Sequence, residues 1–297
     1  MDKLTALKAF TTVVSEGSFV AAAERLGMSR TAVSKHVMDL EAHLGARLLT
    51  RTTRRLSLTE TGSGYFERAR RILGDLEEAD AEASELTVNP RGHLRINAPM
   101  SFGIAHIAPN LNTYLDRFPD VTVDLSLNDR VVDLVEEGFD LAIRIADLED
   151  SSLIARRIGH TRSVLCASPE YLERHGMPGK PGDLTGHACL TYSNLSAPNS
   201  WVFRQAGQEI RVNVPSRLLC NNGDALAAAA VSGLGIIAQP AFIVGPALKA
   251  GELVELLPGH DPGGLGIYAV YATNRHLPAR VRTFIDHLAA CFAGKDL

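Results

Sequence analysis

Apolar and polar positions near the N-terminus alternate at the spacing expected of two short helices joined by a tight turn. Gly27 can take the positive φ that ends the first helix, and Ser29 is a good N-cap for the second. The apolar residues of the second helix lie four, three and four residues apart and form one stripe: Val33, Val37, Leu40 and Leu44. Gly45 then ends this helix. The pattern predicts a helix-turn-helix.

The opposite face of the second helix carries donor groups and small side chains, which suit base edges and phosphates in a DNA major groove. The candidate DNA-contacting residues on it are Ser29, Arg30, Thr31, Ser34 and Lys35. An arginine-rich segment follows, as in a basic hairpin wing, and adds three candidates: Arg51, Arg54 and Arg55. A helical bundle with a solvated basic surface is the alternative. The turn, cap, stripe and wing agree in order and spacing, so the sequence predicts a winged helix-turn-helix that binds double-stranded DNA.

The run of residues 22–62 resembles the N-terminal domain of LysR-type transcriptional regulators. The positions that match that family's pattern are Ala22, Ala23, Leu26, Ser29, Ala32, Val33, Ser34, Leu40, Glu41, Leu44, Gly45, Leu48, Arg51, Arg54, Thr59 and Gly62. Two positions depart from it. Leu49 replaces an aromatic residue, and Arg30 replaces a glutamine, so that a preference for guanine edges replaces one for adenine. Residues 139–158 and 165–172 resemble the CrgA-like branch of the family.

The resemblance extends over nearly the whole chain and implies an α/β protein of three parts. These are a winged helix-turn-helix at residues 1–60, a linker and dimerisation helix at 61–89, and a two-lobed effector-binding domain of the periplasmic-binding-protein-like type 2 at 90–297. Lobe I is expected at about 90–162 and 268–297, and lobe II at about 163–267. The resemblance also implies a ligand-responsive, sequence-specific regulator that binds promoter DNA.

A long helix is predicted after the wing, from a cap at Thr59 to about Val88. Its apolar residues repeat at spacings of four and three, as in a coiled-coil seam: Tyr65, Ala69, Ile72, Leu76, Ala79, Ala83 and Leu86. Packing on its own domain is the alternative. Dimerisation through the first five of these residues is favoured, because a helix-turn-helix usually reads two half-sites with two copies. A homodimer is therefore expected, with a tetramer or larger assembly built from it.

Strand-like and helix-like segments alternate from His93 onwards, which predicts a parallel, doubly wound sheet. In the first lobe we expect strands at 121–127 and 139–145 and helices at 104–118 and 131–137. The chain closes with a helix at 279–292. Trp201 is expected in an irregular loop that packs locally or edges the cleft between the lobes.

Candidate effector-binding residues come from the ends of strands, where ligands bind in such sheets. Ser101 would open a helix directly after a strand; its alternative role is an ordinary N-cap. Asn128 follows another strand, and Arg144 could bind a ligand carboxylate or pair with Asp147. The remaining candidates lie beside Ser101 or in the second lobe: Phe102, Asn222, Gly223, Asp224 and Gln239. Since helix N-termini favour anions, the expected effector is a small organic anion or a polar aromatic molecule.

The distribution of charge supports a division between the two ends of the chain. The 297 residues carry a net charge of −4, and 45% of them are hydrophobic, enough for real cores. Residues 1–60 carry nine Lys and Arg against six Asp and Glu, so the acidic excess lies in the remainder. A basic patch on an acidic body keeps the attraction to DNA local.

Several function classes lack their sequence signatures. The four cysteines, Cys166, Cys189, Cys220 and Cys291, have no metal or redox spacing; we expect buried hydrophobes, with redox sensing as the alternative. The sequence has no paired histidine ligands, nucleophile elbow or phosphate loop, so we expect no metal, no cofactor and no catalytic residues. It also has no transmembrane-length apolar run and no signal peptide, which predicts a cytoplasmic protein. An enzymatic or solute-binding domain fused to a DNA anchor, and an architectural protein that ignores ligands, are the alternative functions.

Overall fold

The computed structural model describes residues 1–51, 56–83, 90–146, 154–205, 207–272, 277–295 and 297. The chain divides into two compact units, Met1–Val88 and Asn89–Leu297. No helix in the described ranges combines the length and the apolar character needed to cross a membrane.

The first unit has the predicted winged helix-turn-helix. Its elements are α1 (Lys3–Glu16), α2 (Phe19–Leu26), α3 (Arg30–Leu44), β1 (Leu49–Arg51), β2 (Leu56–Leu58) and α4 (Glu60–Ala83). Gly27 ends α2 with a φ of 64°, and Ser29 caps α3 by accepting the Ala32 N–H. The predicted apolar stripe of α3 is buried in the core of this unit through Val33, Val37 and Leu40. β1 and β2 pair as the antiparallel hairpin of the wing.

Helix α4 packs its first turns on the core of its own unit. The ring centroids of Tyr65 and Phe10 lie 6.0 Å apart, and Ala69 is buried in the same core. The next buried residue is Leu73, at 9% exposure, whereas Ile72 is 52% exposed. The helical repeat of 3.6 residues explains this, since the buried face passes from Ala69 to the residue four positions later. The predicted seam is therefore divided, and its first two residues follow the alternative reading of packing on their own domain.

The rest of the predicted seam is described only in part. Leu76 is half-buried, while the side chain of Ala79 and residue Leu86 lie outside the described part of the chain. The first compact unit extends to Val88 and so contains both the winged helix-turn-helix and the linker helix.

The second unit is an α/β domain. Its strands are β3 (Gly92–Ala98), β4 (Val121–Leu127), β5 (Leu141–Ala146), β6 (Ile154–Ala167), β7 (Cys189–Tyr192), β8 (Ser200–Gln205), β9 (Gln208–Asn213), β10 (Ser216–Cys220), β11 (Ile236–Pro240), β12 (Val254–Glu255) and β13 (Gly264–Tyr271). Its helices are α5 (Met100–Phe102), α6 (Ala108–Arg117), α7 (Leu134–Glu137), α8 (Pro169–His175), α9 (Gly223–Val231), α10 (Ala241–Lys249) and α11 (Ala279–Phe292).

The strands run in the order β10-β7-β11-β6-β13-β5-β3-β4, with β12 also paired to β6. The sheet is mixed, whereas the sequence predicted a parallel, doubly wound sheet. β3 is parallel to β4 and β5, and β7 is parallel to β10 and β11, but β6 and β13 pair antiparallel to their neighbours. The reason is that these two strands carry the chain between the lobes in opposite directions.

Strand β6 marks the division between the lobes. Its residues up to Arg162 pair with β13, and those from Ser163 pair with β11. The return to lobe I comes at Gly264, which already pairs with Arg162, a few residues earlier than the sequence indicated.

Three local predictions need correction. The helix expected at 104–118 begins at Met100 and passes through a π-helical turn, Gly103–Ile107. This turn lies two residues before Pro109, which has no N–H for a regular helical hydrogen bond. The helix expected at 131–137 shortens to α7, because the Asp133 carboxylate caps it. Trp201 lies on β8 and is buried in the core of lobe II, not in an irregular loop.

Candidate DNA interface and candidate effector site

The N-terminal part of α3 presents most of the predicted DNA-contacting side chains to solvent. Arg30, Thr31 and Lys35 are exposed, and Ser34 is half-buried. Ser29 has a structural task as well, because its hydroxyl caps α3 and forms a 2.9 Å hydrogen bond with the Thr31 hydroxyl. These contacts fix the first turn of the helix from which the donors project.

The structure describes the two strands of the basic wing. Arg51 is the last residue of β1, and its side chain lies outside the description. Arg54 and Arg55 fall on residues that the structure does not describe. Their contacts with DNA stay predictions from the sequence.

The predicted residues Ser101 and Asp224 meet across the two lobes. The Ser101 hydroxyl donates a 2.7 Å hydrogen bond to Asp224 Oδ2, and the Ser101 side chain is buried. The ordinary N-cap role is wrong for Ser101, because α5 begins one residue earlier, at Met100, with Pro99 at the N-cap position. The hydroxyl joins the lobes and does not cap the helix.

Asp129 forms the second contact between the lobes, beside the predicted Asn128. Its Oδ1 accepts the Met100 N–H at 3.0 Å, and its Oδ2 accepts Asn222 Nδ2 at 3.3 Å. Its backbone oxygen accepts Asn194 Nδ2 at 2.6 Å. We expected the N–H groups at the start of this helix to be free for an anion, but a carboxylate of the chain itself occupies the first of them. The sequence signal for Asp129 was its position directly after β4, whereas Asn194 had none.

The start of α9 completes this contact. Asn222 caps the helix by accepting the Ala225 N–H at 2.9 Å, so its amide group serves the helix with its oxygen and Asp129 with its nitrogen. A Cβ on Gly223 would lie 2.5 Å from Ile243 Cδ1 and 2.8 Å from Gln239 Oε1. Glycine lets the ends of these two side chains, including that of the buried Gln239, pack directly against the start of α9.

Two predicted residues lie deeper in the domain. Phe102 is fully buried, and its ring packs edge-on against Phe242 of lobe II with the centroids 5.5 Å apart. Asn128 Oδ1 is buried and has no hydrogen-bond partner among the described residues. Phe102 thus packs between the lobes. Asn128 Oδ1 can accept a hydrogen bond from a small ligand.

Arg144 supplies a half-buried positive charge near the carboxyl ends of β3 and β4. Its Nη1 donates to Asn97 Oδ1 at 3.0 Å. Burial lowers the pKa of Arg144; the Glu137 carboxylate opposes this effect, and the neighbouring Arg130 adds to it. Asp147, the alternative partner, lies outside the described residues. A guanidinium paired with a neutral amide in this position can still take an anionic partner.

The cysteines fit the expectation of buried hydrophobes at two positions. Cys166 and Cys189 are buried, and burial raises the pKa of each thiol to about 12. Neither is a thiolate at neutral pH, so neither has the character of a reactive redox thiol. Cys220 and Cys291 are partly exposed free thiols. Within the described ranges, no group of three or more His, Cys, Asp or Glu residues could hold a metal ion.

Two family models match this chain. The model of the LysR substrate binding domain matches residues 88–293, and that of the bacterial regulatory helix-turn-helix protein of the lysR family matches residues 4–63. Together they cover both units of the structure.

Individual relatives agree with the family models. An uncharacterized HTH-type transcriptional regulator of Haemophilus influenzae is 43% identical over 281 residues, which cover 95% of this chain and 98% of that protein. The regulator CrgA of Neisseria meningitidis serogroup C is 36% identical over 283 residues, which cover 95% of this chain and 94% of that protein.

Solved structures share the whole fold. The LysR-type regulator CrgA from Neisseria meningitidis gives a TM-score of 0.62 at 34% identity and covers 97% of this chain and 98% of that one. The full-length structure of the Vibrio cholerae virulence activator AphB gives a TM-score of 0.58 at 28% identity. It covers 96% of this chain and 98% of that one. With the winged helix-turn-helix and the two-lobed domain in place, this chain belongs to the LysR family of DNA-binding transcriptional regulators.

Proposed function

We propose that this regulator binds promoter DNA with α3 in the major groove and the wing on the phosphate backbone. Arg30, Ser34 and Lys35 are assigned to base edges, because they project from the first turns of α3. Arg51, Arg54 and Arg55 are assigned to phosphates. The exposure of Arg30 and Lys35 supports the first assignment, and the basic character of the wing supports the second.

A small organic anion bound between the lobes is proposed to control this DNA binding. The observation that carries the proposal is the polar contact between the lobes, in which Ser101 donates to Asp224 and Asp129 accepts from Asn222. An architectural protein that ignores ligands would be expected to have only packed apolar side chains here. Polar groups shared between two lobes can be exchanged for ligand atoms, so occupancy can bias the arrangement of the lobes.

The anionic group of the effector is assigned to Arg144. Burial disfavours the charge of this guanidinium, and an anion would compensate for it. The remainder of the effector then competes for the Ser101 hydroxyl, which now bonds Asp224. Because Asp129 and Asp224 add negative charge to the same region, the anion must be compact and must keep its charge towards Arg144.

Dimerisation is assigned to α4, through Ile72 and the residues that follow it. Ile72 is a large apolar side chain on the exposed side of this helix. A second copy of α4 would cover it, and two copies would present two winged domains to two half-sites. A tetramer or larger assembly of such dimers is part of the same proposal.

Calorimetry on the full-length protein tests the effector proposal. A thermal-shift screen of small carboxylates and phenols first selects a ligand, whose affinity is then measured for the wild type, Arg144→Gln and Ser101→Ala. We expect both substitutions to weaken binding. Arg211→Gln is the control, since Arg211 is an exposed residue of β9 paired with Glu209. Equal affinity in all four proteins would contradict the placement.

A further inference from the structure

The carboxylate of Glu41 holds the base of the wing. Glu41 lies near the end of α3, and its Oε1 accepts the Leu48 N–H at 2.8 Å and the Leu49 N–H at 3.1 Å. These two amides lie where the chain leaves the turn after α3 and enters β1. One oxygen of the recognition helix therefore fixes the direction in which the wing departs.

Thr59 holds the same segment from the other side. Its hydroxyl donates to the Arg47 carbonyl oxygen at 2.7 Å, and its N–H donates to the Leu48 carbonyl oxygen at 3.0 Å. The Gly62 N–H in turn donates to the Thr59 hydroxyl oxygen at 2.9 Å. A Cβ on Gly62 would lie 2.0 Å from the Leu48 carbonyl oxygen, so this approach requires glycine. The backbone at Leu48 is thus held through both its N–H and its carbonyl group.

The position of the carboxylate is unfavourable for DNA binding by charge alone. Glu41 is on the recognition helix, and a DNA backbone repels a negative side chain near it. The hydrogen bonds that its carboxylate makes with described residues go to backbone amides. One acceptor oxygen on a side chain of this length reaches both amides, so the reach of the side chain is the feature that this geometry requires.

We propose that Glu41 is a positioning residue for DNA binding, which acts by orienting the wing so that its arginines reach the phosphates. The inference rests on the proposed contact between the wing and the DNA backbone. The role of Glu41 depends on the reach of its side chain and on its acceptor oxygen. Its negative charge works against DNA binding.

Two conservative substitutions separate reach from charge. Glu41→Gln keeps an acceptor oxygen at the same distance and removes the charge. Glu41→Asp keeps the charge but is one methylene shorter, so it cannot bond both amides from the same backbone position. We expect Glu41→Asp to weaken binding of the full-length protein to promoter DNA by about tenfold and to lower the salt slope by about one to two units. Glu41→Gln should bind at least as tightly as the wild type and keep the slope.

Hydrogen exchange and a second glutamate complete the experiment. Exchange of the Leu48 and Leu49 amides should be faster in Glu41→Asp and close to wild type in Glu41→Gln, which reports on the clamp independently of DNA. Glu24→Asp, an exposed glutamate on α2, is the control and should change neither binding nor exchange.

The outcomes distinguish a failure of the role of Glu41 from a failure of the proposed contact between the wing and DNA phosphates. If Glu41→Asp keeps the affinity and slope of the wild type while Arg51→Ala lowers the slope, the wing contacts DNA and the role of Glu41 is wrong. If Glu41→Gln weakens binding as much as Glu41→Asp, charge is required and the inference also fails. If Arg51→Ala has no effect, the proposed contact of the wing with phosphates itself is wrong.

Discussion

The hydroxyl of Ser101 in lobe I donates a 2.7 Å hydrogen bond to Asp224 Oδ2 in lobe II. We expect Ser101→Ala to lower the free energy of unfolding by about 1 kcal/mol, because the hydrogen bond between the buried Ser101 hydroxyl and the exposed Asp224 carboxylate is lost. Affinity for DNA without effector should stay near wild type. Chemical denaturation and a gel shift measure the two quantities. Ser196→Ala, at an exposed loop serine, is the control. An unchanged stability would show that the hydrogen bond contributes nothing to joining the lobes.

Asp129→Asn should strengthen binding of an anionic effector. The substitution removes a negative charge from the contact between the lobes while keeping an oxygen that can accept the Met100 N–H. We expect a gain in affinity of about tenfold, equal to about 1.4 kcal/mol. Calorimetry with the ligand selected by thermal shift measures it. A weaker affinity in the variant would instead indicate a ligand that donates hydrogen bonds to the carboxylate.

Adjacent residues of α4 should respond in opposite ways to the same substitution. Ile72→Asp, at a largely exposed position, should leave the winged domain folded, give monomers and weaken DNA binding. Leu73→Asp places a charge in the core and should unfold the domain. Light scattering reports the size, and circular dichroism reports the fold. If Ile72→Asp keeps the size of the wild type, the dimer contact lies elsewhere in the protein.

Arg30 and Arg51 should affect different properties of DNA binding. Arg30→Gln should shift the preference at one base pair by about 1–3 kcal/mol, since glutamine favours adenine. Arg51→Ala should weaken binding to all sequences alike and lower the salt slope by about one unit. Binding of randomised operators at several salt concentrations measures both. A preference unaltered by Arg30→Gln would remove this residue from base recognition.

Stability should fall as the pH drops below the ordinary pKa of histidine, in part through His106. Burial among Phe102, Phe242 and Phe292 lowers the pKa of His106, and the charge of Lys295 lowers it further. The unfolded chain therefore takes up this proton first, at a pH near 6.5, so the stabilisation is complete above that pH and is lost as the pH falls towards the folded pKa.

Thermal unfolding at pH 7.5 and 5.5 tests this expectation. His106→Asn should show a smaller difference between the two conditions than the wild type. Part of the difference should persist, because burial also lowers the pKa of His187. An equal difference in the variant and the wild type would contradict the assignment to His106.

Much of the local structure could be predicted from the sequence, because it depends on residues close together in the chain. The cap at Ser29 and the turn at Gly27 involve neighbours within one or two helical turns. The closing helix α11 has the predicted bounds, since its apolar repeat and the preceding Pro278 are both local signals. The same spacing made the resemblance to the LysR family visible, and that resemblance was confirmed.

Only the tertiary structure decided which of several equivalent local choices the protein makes. The repeat of α4 allowed either face to be buried, and the core around Phe10 selects Leu73 over Ile72. The free N–H groups expected for an anion depend on what lies opposite them, and that is Asp129. Ser101 and Asp224 are separated by 123 positions. Local periodicity determines helices, strands and caps, whereas the pairing of side chains from distant segments depends on how those segments pack.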